Sequence, residues 1–292
     1  MNYSIESDSL QVQVRLKGME LSSIRSKTTQ QEYLWQGDSR YWTGQAPVLF
    51  PIIGALKGGK TTHLGQEYAL PKHGFVRNSD QVQLVQQQSD QLVFRMESNS
   101  NSLAVYPFVF ALEVKFQLFG KCLEISHKVY NLDDKDMYYS IGGHPAFNCP
   151  LLPGEKLEDY LIEFPEKETD STWMIAAEGL IGEKGEMVLN GTKEIPLHAH
   201  LFDHDALIFK QLKSREVSLS HRQRGPVVKL EFEDFNYLGI WAKSGAPFVC
   251  LEPWLGIADS VHHSGLLAEK VGIRILSPGA TETKTFRIWI EE

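Results

Sequence analysis

Three residues, His73, His144 and Glu252, stand in sequence contexts that favour proton transfer at a binding site. His144 follows two glycines and precedes a proline at the end of a strand-like run, so side-chain bulk is removed around a titratable ring. His73 precedes a glycine, which lets backbone or ligand approach the imidazole. Taken singly, each residue also has a structural explanation. His144 could be a hydrogen-bonded turn histidine, His73 a structural or surface histidine, and Glu252 a solvated carboxylate on an edge strand.

Glu252 stands between an apolar run and an aromatic side chain. It follows Phe-Val-Cys-Leu and precedes Pro253 and Trp254, which predicts a carboxylate where a buried strand meets an aromatic-lined surface. Partial burial raises the pKa of a carboxyl above about 4.3 and makes it a better base toward a weakly acidic hydroxyl. An aromatic ring beside a carboxylate suits carbohydrate, because the apolar face of a sugar packs on the ring while its hydroxyls need hydrogen bonds. We therefore expect Trp254 to bind a small-molecule sugar.

Residues 54–61 match a nucleotide-binding motif in pattern but not in context. Their sequence, Gly-Ala-Leu-Lys-Gly-Gly-Lys-Thr, satisfies the phosphate-binding pattern G-x-x-x-x-G-K-[ST]. That loop requires a following helix whose N-terminus faces the phosphate. Residues 62–71 instead contain a glycine, a proline and strand-like alternation. The sequence therefore predicts a glycine-rich β-turn that binds no nucleotide.

A histidine-rich segment could be interpreted as a metal cluster. His198 and His200, two residues apart on a strand, would point the same way, and Asp203 and Asp205 follow them. A cupin-type site would need a glutamate a few residues after the histidine pair, and another histidine stands near that place. We favour an alternative in which Asp205, at the mouth of the buried strand 206–209, orients a ligand hydroxyl. No metal site is expected.

Alternating apolar and polar residues recur along the chain and predict β-strands. Residues 111–130 alternate on both sides of Phe119-Gly120-Lys121, which predicts a β-hairpin. Helical periodicity is scarce, and we find no fixed repeat or low-complexity linker. We therefore predict an all-β fold of antiparallel sheets packed face to face, in one domain over residues 1–292. Further strand-like runs are 81–95, 136–141, 217–221, 227–232, 248–252 and 283–290.

The composition indicates a soluble cytoplasmic protein. The 292 residues carry a formal net charge of −8 without a segregated basic patch, which argues against nucleic-acid and anionic-membrane partners. The first eight residues lack the features of a secretory signal. The most apolar stretch, 46–56, is too short to span a bilayer and contains two prolines. Three cysteines without a C-x-x-C spacing fit reduced thiols.

Five segments occur in an order and spacing that match a known family. They are Ala46–Gly54 (APVLFPIIG), His73–Phe75 (HGF), Gly142–Phe147 (GGHPAF), Asp203–Phe209 (DHDALIF) and Leu251–Trp254 (LEPW). Together they resemble the aldose 1-epimerase (galactose mutarotase) family, in its LacX-like branch, along most of the chain. The resemblance implies a galactose mutarotase-like β-supersandwich with its site in a concave groove, and neither a metal nor an organic cofactor.

The resemblance also implies roles for the site residues. Glu252 corresponds to the family's base, His144 to its acid, and His73 to the second histidine near the ring oxygen. Asp205 corresponds to the aspartate that holds sugar hydroxyls, with Asp203 as the alternative.

One family residue is replaced in this chain. The family arginine that follows the Pro-Ile-Ile-Gly segment aligns with Ala55, so one sugar contact is missing or is supplied by Lys57 or Arg77. Arg77 is therefore a candidate substrate-binding residue, and the identity of the sugar stays open.

The expected function is the interconversion of the α and β anomers of a hexose. Glu252 would take the proton of the anomeric hydroxyl while protonated His144, with a pKa near 6.5, delivers one to the ring oxygen. One alternative is a hexose 6-phosphate substrate, with Lys57, Lys72 or Arg77 holding the phosphate. Another is a non-catalytic sugar-binding module. A homodimer is compatible with the sequence.

Overall fold

The computed structural model describes residues 1–291, and strands dominate them. This part of the chain has one short α-helix, α1 (Ser100–Val105), capped by the side chain of Asn99, which accepts hydrogen bonds from two backbone N–H groups of the first turn. Single 3₁₀ turns span Lys17–Met19, Lys57–Gly59, Val76–Asn78, Leu157–Asp159, Ala177–Gly179 and Leu267–Glu269. The strands are β1 (Asn2–Glu6), β2 (Leu10–Arg15), β3 (Glu20–Ser26), β4 (Val48–Leu49), β5 (Lys60–His63), β6 (Gln66–Ala69), β7 (Gln83–Gln87), β8 (Gln91–Glu97), β9 (Phe110–Phe119), β10 (Cys122–Asn131), β11 (Met137–Tyr139), β12 (Ile141–Gly143), β13 (Ala146–Asn148), β14 (Tyr160–Asp170), β15 (Trp173–Ile175), β16 (Ile181–Lys184), β17 (Leu189–Pro196), β18 (Leu207–Phe209), β19 (Glu216–His221), β20 (Gly225–Glu231), β21 (Tyr237–Trp241), β22 (Phe248–Leu255), β23 (Arg274–Leu276) and β24 (Thr281–Ile290).

Two large sheets organise these strands. Within residues 1–291, nine strands form one sheet in the order β17-β14-β19-β20-β24-β10-β9-β8-β7. Six form the other, in the order β18-β21-β22-β12-β4 with β13 also paired to β22. The smaller sheets are β1-β2-β3, β11-β23, β15-β16 and β5-β6. All pairings between these strands are antiparallel, so the prediction of an all-β antiparallel fold is confirmed.

The predicted hairpin over residues 111–130 is present as β9 and β10. The two strands pair along their whole length around Gly120, which adopts a φ of 59° in the turn. In β9, Leu112, Val114 and Phe116 are buried, and Glu113 and Lys115 between them are more exposed, as expected where one face of a sheet packs on the core. The residues after the nucleotide-binding pattern form a hairpin of β5 and β6 rather than a helix, which confirms the prediction that no helix follows that motif.

The strand that carries Glu252 is longer than the sequence predicts. The predicted run ends at residue 252, whereas β22 continues through Pro253 to Leu255. On one side, β22 pairs with β13 at residues 248–250 and with β12 at residues 254–255, so this ladder is interrupted beside Pro253. Proline has no N–H to donate, so it fits where a ladder is interrupted. The same interruption brings His144, which lies between β12 and β13, beside Glu252.

The two large sheets pack against each other behind His144. A Cβ added to Gly143 in β12 would lie only 2.8 Å from Cζ of Phe286 in β24, so a glycine is needed for this close approach. One buried apolar cluster contains residues from Ile5 to Ile290 and from both sheets. This continuous core supports the single domain, which stays a prediction. Over residues 1–291, no helix is long and apolar enough to cross a membrane.

Candidate active site

His144 and Glu252 form a buried pair at the junction of β12, β13 and β22. His144 Nε2 and Glu252 Oε2 lie 3.1 Å apart. The two residues are only 7% and 1% exposed. The two groups are adjacent, although the angles do not form a hydrogen bond in this arrangement, and Glu252 Oε2 is a buried oxygen without a hydrogen-bond partner among residues 1–291. The arrangement therefore provides two proton carriers at one point.

Burial shifts the pKa values of both members toward their neutral forms. Burial raises the pKa of Glu252 well above 4.5, and the negative charge of Asp205 adds to this, against the opposing effects of Lys72 and Arg77. Burial lowers the pKa of His144 to about 3, and Arg77 and Lys72 act in the same direction. The expectation of a His144 pKa near 6.5 is therefore wrong for the sugar-free protein. For a single proton shared by the pair, both shifts favour its position on the carboxyl of Glu252.

His73 lies next to this pair and presents an N–H donor. It has a left-handed φ of 67°, and Gly74, with a φ of 72°, packs so closely that an added Cβ would lie 2.1 Å from the carbonyl oxygen of Phe50. Nδ1 of His73 accepts a hydrogen bond from the backbone N–H of Gly54 at 3.2 Å. Burial lowers the pKa of His73 well below 6.5. A neutral imidazole that accepts at Nδ1 carries its proton on Nε2, so His73 can donate to a ligand oxygen.

His73, His144 and Glu252 all line a groove of about 580 Å³. This volume is typical of small-molecule sites. Trp254 lines the groove, as expected from the sequence, and belongs to a small apolar cluster that also contains Ile53. The groove thus combines donors, acceptors and aromatic surface, the combination that a sugar ring requires.

The cations of the groove differ in part from those that the sequence suggested. Arg77 lines the groove, together with Lys72 and the exposed Lys243. Arg77 is half-buried, and no hydrogen bond or ion pair from its guanidinium is found to any residue among 1–291. Ala55 and Lys57 do not line the groove. The Nζ of Lys57 donates to the carbonyl oxygen of His263 instead, so Lys57 is not placed to supply the missing arginine contact.

Both candidate aspartates lie at the mouth of the groove. Asp203 and Asp205 are exposed and line it. Asp205 has a φ of 75°. Its Oδ1 accepts a hydrogen bond from the backbone N–H of Ala206, the residue that precedes β18. Asp203 instead contacts an exposed imidazole, since its Oδ2 lies 2.9 Å from Nδ1 of His200. Asp205 is the aspartate whose charge acts on Glu252.

Several groove residues were missed by sequence reasoning. Trp42 stacks on His144, with ring centroids 4.9 Å apart, and Trp241 meets the same imidazole edge-on. Lys243 and Phe202 also line the groove. Trp42 comes from an irregular segment with no periodicity, so no local pattern could have identified it. The position of Trp241 at the end of β21 could have been a signal, because β21 pairs with the strand of Glu252.

The chain is similar in sequence to known proteins along most of its length. Residues 1–265 match the aldose 1-epimerase family. The plasmid and chromosomal forms of protein LacX from Lactococcus lactis subsp. lactis are 37% identical to this chain over 299 aligned positions, which cover 99% of this chain and 99% of each relative.

Solved structures confirm the predicted galactose mutarotase-like fold. A galactose mutarotase related enzyme from Lactobacillus acidophilus has a TM-score of 0.93 and 32% identity, covering 100% of this chain and 98% of its own. A galactose mutarotase-like protein from Lactobacillus casei ATCC 334 has a TM-score of 0.91 and 26% identity, with both chains covered completely. With a family match over most of its length and relatives above 30% identity across nearly all of it, this chain belongs to the aldose 1-epimerase family.

Proposed function

We propose that the protein is an aldose 1-epimerase that interconverts the α and β anomers of a hexose by opening and closing its ring. The observation that carries this proposal is the separation of 3.1 Å between His144 Nε2 and Glu252 Oε2 on the floor of a groove of sugar-binding size. Ring opening needs one group to remove the proton of the anomeric hydroxyl and another to protonate the ring oxygen. With one proton between them, Glu252 and His144 can do both.

Ring opening begins from the form in which the shared proton is on His144. Glu252 accepts the proton of the O1 hydroxyl, the C1–O1 bond becomes a carbonyl, the C1–O5 bond breaks, and His144 delivers its proton to O5. Glu252 is then protonated and His144 neutral, the distribution that burial favours in the sugar-free protein. Rotation about the C1–C2 bond and the reverse proton transfers close the ring on the opposite face. The total number of protons on the pair does not change.

Other residues of the groove support binding and orientation. The Nε2–H of His73 can donate to a ring or hydroxyl oxygen near His144, since the two imidazoles have centroids 5.7 Å apart. The carboxylate of Asp205 can accept hydrogen bonds from sugar hydroxyls at the mouth. Trp254 offers apolar surface to a face of the sugar.

A hexose 6-phosphate is the second candidate substrate, favoured by the cations of the groove. C6 is bonded to C5, which carries the ring oxygen, so a phosphate on O6 lies on the side of the sugar that faces His144. Lys72 and Arg77 both act electrostatically on His144, so they are close to that side. The guanidinium of Arg77, which has no partner among residues 1–291, can form charge-assisted hydrogen bonds with a phosphate.

The experiment that tests the proposal follows optical rotation after α-glucose, α-galactose and their 6-phosphates are dissolved with catalytic amounts of protein. An aldose 1-epimerase accelerates the approach to the anomeric equilibrium in proportion to protein concentration for at least one of these sugars. A non-catalytic sugar-binding module would bind a sugar by calorimetry and leave all four rates at their spontaneous values.

A further inference from the structure

Cys250 lies beside the proposed catalytic pair, although the mechanism does not use it. Cys250 and Glu252 are two residues apart on β22, so their side chains point to the same face of the sheet. One donor atom each from His144, Cys250 and Glu252 can be chosen so that all three lie within 4.8 Å of one another, and all three residues are buried. Imidazole, thiolate and carboxylate are the protein ligands that Zn²⁺ uses.

We propose that His144, Cys250 and Glu252, here called the thiol cluster, bind Zn²⁺ reversibly and that the bound ion inhibits the enzyme. Zinc bonds of about 2.0–2.3 Å place the ligand atoms of a tetrahedral site roughly 3.3–3.8 Å apart. His144 Nε2 and Glu252 Oε2 are 3.1 Å apart, and the limit of 4.8 Å for the chosen donor atoms leaves at most about 1.5 Å for side-chain rotation to close. Glu252 and His144 line the groove, so the ion can enter from there and keep its fourth position toward the groove.

Zinc binding at the thiol cluster is an exchange of protons for the metal ion. Binding forms Zn–N, Zn–S and Zn–O bonds, and any proton carried by a ligand atom is released to water. No electron is transferred. A zinc ion in this place would occupy both proposed proton carriers, so we expect it to inhibit the reaction.

Direct metal binding can be measured without any assumption about activity. Co²⁺ is the spectroscopic probe, because a cobalt–thiolate bond gives a near-ultraviolet charge-transfer band that histidine and carboxylate ligands do not give. We expect wild type and Cys149→Ala to develop this band, and Zn²⁺ to abolish it. Cys149 is the matched control, since its thiol is also fully buried but lies outside the thiol cluster. Cys250→Ala should show no band. Absence of the band in wild type, or an equal band in Cys250→Ala, would overturn the proposal.

Inhibition of the enzyme by bound zinc rests on the proposed function, so it is tested separately from metal binding. In a mutarotation assay, Cys250→Ala should keep its basal activity. The zinc concentration for half-inhibition should rise by about 10–100-fold or more, because the site has lost one of its three ligands. His200→Gln should be inhibited like wild type, which distinguishes the thiol cluster from the exposed contact of His200 with Asp203. Equal inhibition of wild type and Cys250→Ala would contradict inhibition through the thiol cluster. If wild type has no mutarotase activity, the proposed function fails, while the cobalt band still decides the metal site.

Discussion

The indole of Trp42 lies nearly parallel to the imidazole of His144, with ring centroids 4.9 Å apart and an angle of 29° between the planes. Trp241 meets the same imidazole edge-on at 5.9 Å. These contacts cover the imidazole with apolar surface, which contributes to its low pKa because a charged ring would lose hydration there. They also fix the direction of Nε2 toward Glu252. In the proposed mechanism, the two tryptophans would therefore act through His144.

Replacement of Trp42 by leucine should loosen His144 and let water reach it. We expect kcat/KM to fall about 10-fold, because small errors in the position of a proton carrier are costly, and we expect the pKa of His144 to rise from about 3 toward 6.5. NMR titration of the imidazole resonances measures this shift. Trp289→Leu is the control, since Trp289 is half-buried in β24 and does not line the groove. An unchanged titration in Trp42→Leu would mean that the stacking does not control His144.

The sequence predicted the strands better than it predicted the surroundings of the site. Period-two alternation identified β9, β10 and β24, because a sheet with one face on the core imposes that pattern locally. The motifs singled out His73, His144 and Glu252, and the structure places them in one groove.

The electrostatics of the site could not be predicted from local patterns. Burial lowers the pKa of His144, and Arg77 and Lys72 lower it further. Part of that burial comes from Trp42, and all three of these residues are distant from His144 in the chain. The alignment of Ala55 with the family arginine suggested that Lys57 could supply the missing sugar contact. In the fold, Lys57 Nζ instead donates a hydrogen bond to the backbone carbonyl of His263.

Glu252→Gln should make the fold more stable, and increasingly so as the pH rises. Burial raises the pKa of Glu252, so above pH 4.5 the folded protein keeps a proton that the unfolded chain has lost. The free energy of unfolding of wild type therefore falls as the pH rises from about 4.5 through the raised pKa. The amide has no such titration. Urea unfolding at pH 5 and pH 8 should show a larger advantage of Glu252→Gln at pH 8.

The matched control for this stability effect is Glu233→Gln, because Glu233 is exposed and outside the groove. We expect its stability difference from wild type to be the same at both pH values. A Glu252→Gln advantage that shrinks with pH would show that the carboxyl is ionised in the folded protein at pH 5, contrary to the effect of burial.

Arg77→Gln distinguishes the two candidate substrates. If Arg77 holds a phosphate, kcat/KM should fall by about 10–100-fold more for a hexose 6-phosphate than for the free hexose, the effect of losing a hydrogen bond to a charged group. Lys57→Gln is the control and should leave both values unchanged, because Lys57 does not line the groove. Equal losses for both sugars would assign Arg77 to a part of the sugar that they share. No loss for either would remove Arg77 from substrate binding.

Ala55→Arg should destabilise the protein rather than restore a sugar contact. Ala55 is 7% exposed and does not line the groove. Its Cβ faces Gly179, where Lys72 Nζ also lies, so an added guanidinium would be buried near another cation. We expect a loss of about 2–4 kcal/mol in the free energy of unfolding. Ala55→Met controls for size and should cost less. Wild-type stability together with improved kcat/KM for a neutral hexose would show that position 55 does reach the sugar.

The central claim is that Glu252 and His144 transfer the protons of ring opening. NMR measurement of the exchange rate between α and β anomers of an equilibrated hexose, with wild type and Glu252→Gln at equal concentrations, tests it most directly. We predict that Glu252→Gln folds and binds the sugar, and that its rate falls about 10²–10⁴-fold, the usual loss for a general base. An exchange rate close to that of wild type in a folded, sugar-binding Glu252→Gln would contradict the account.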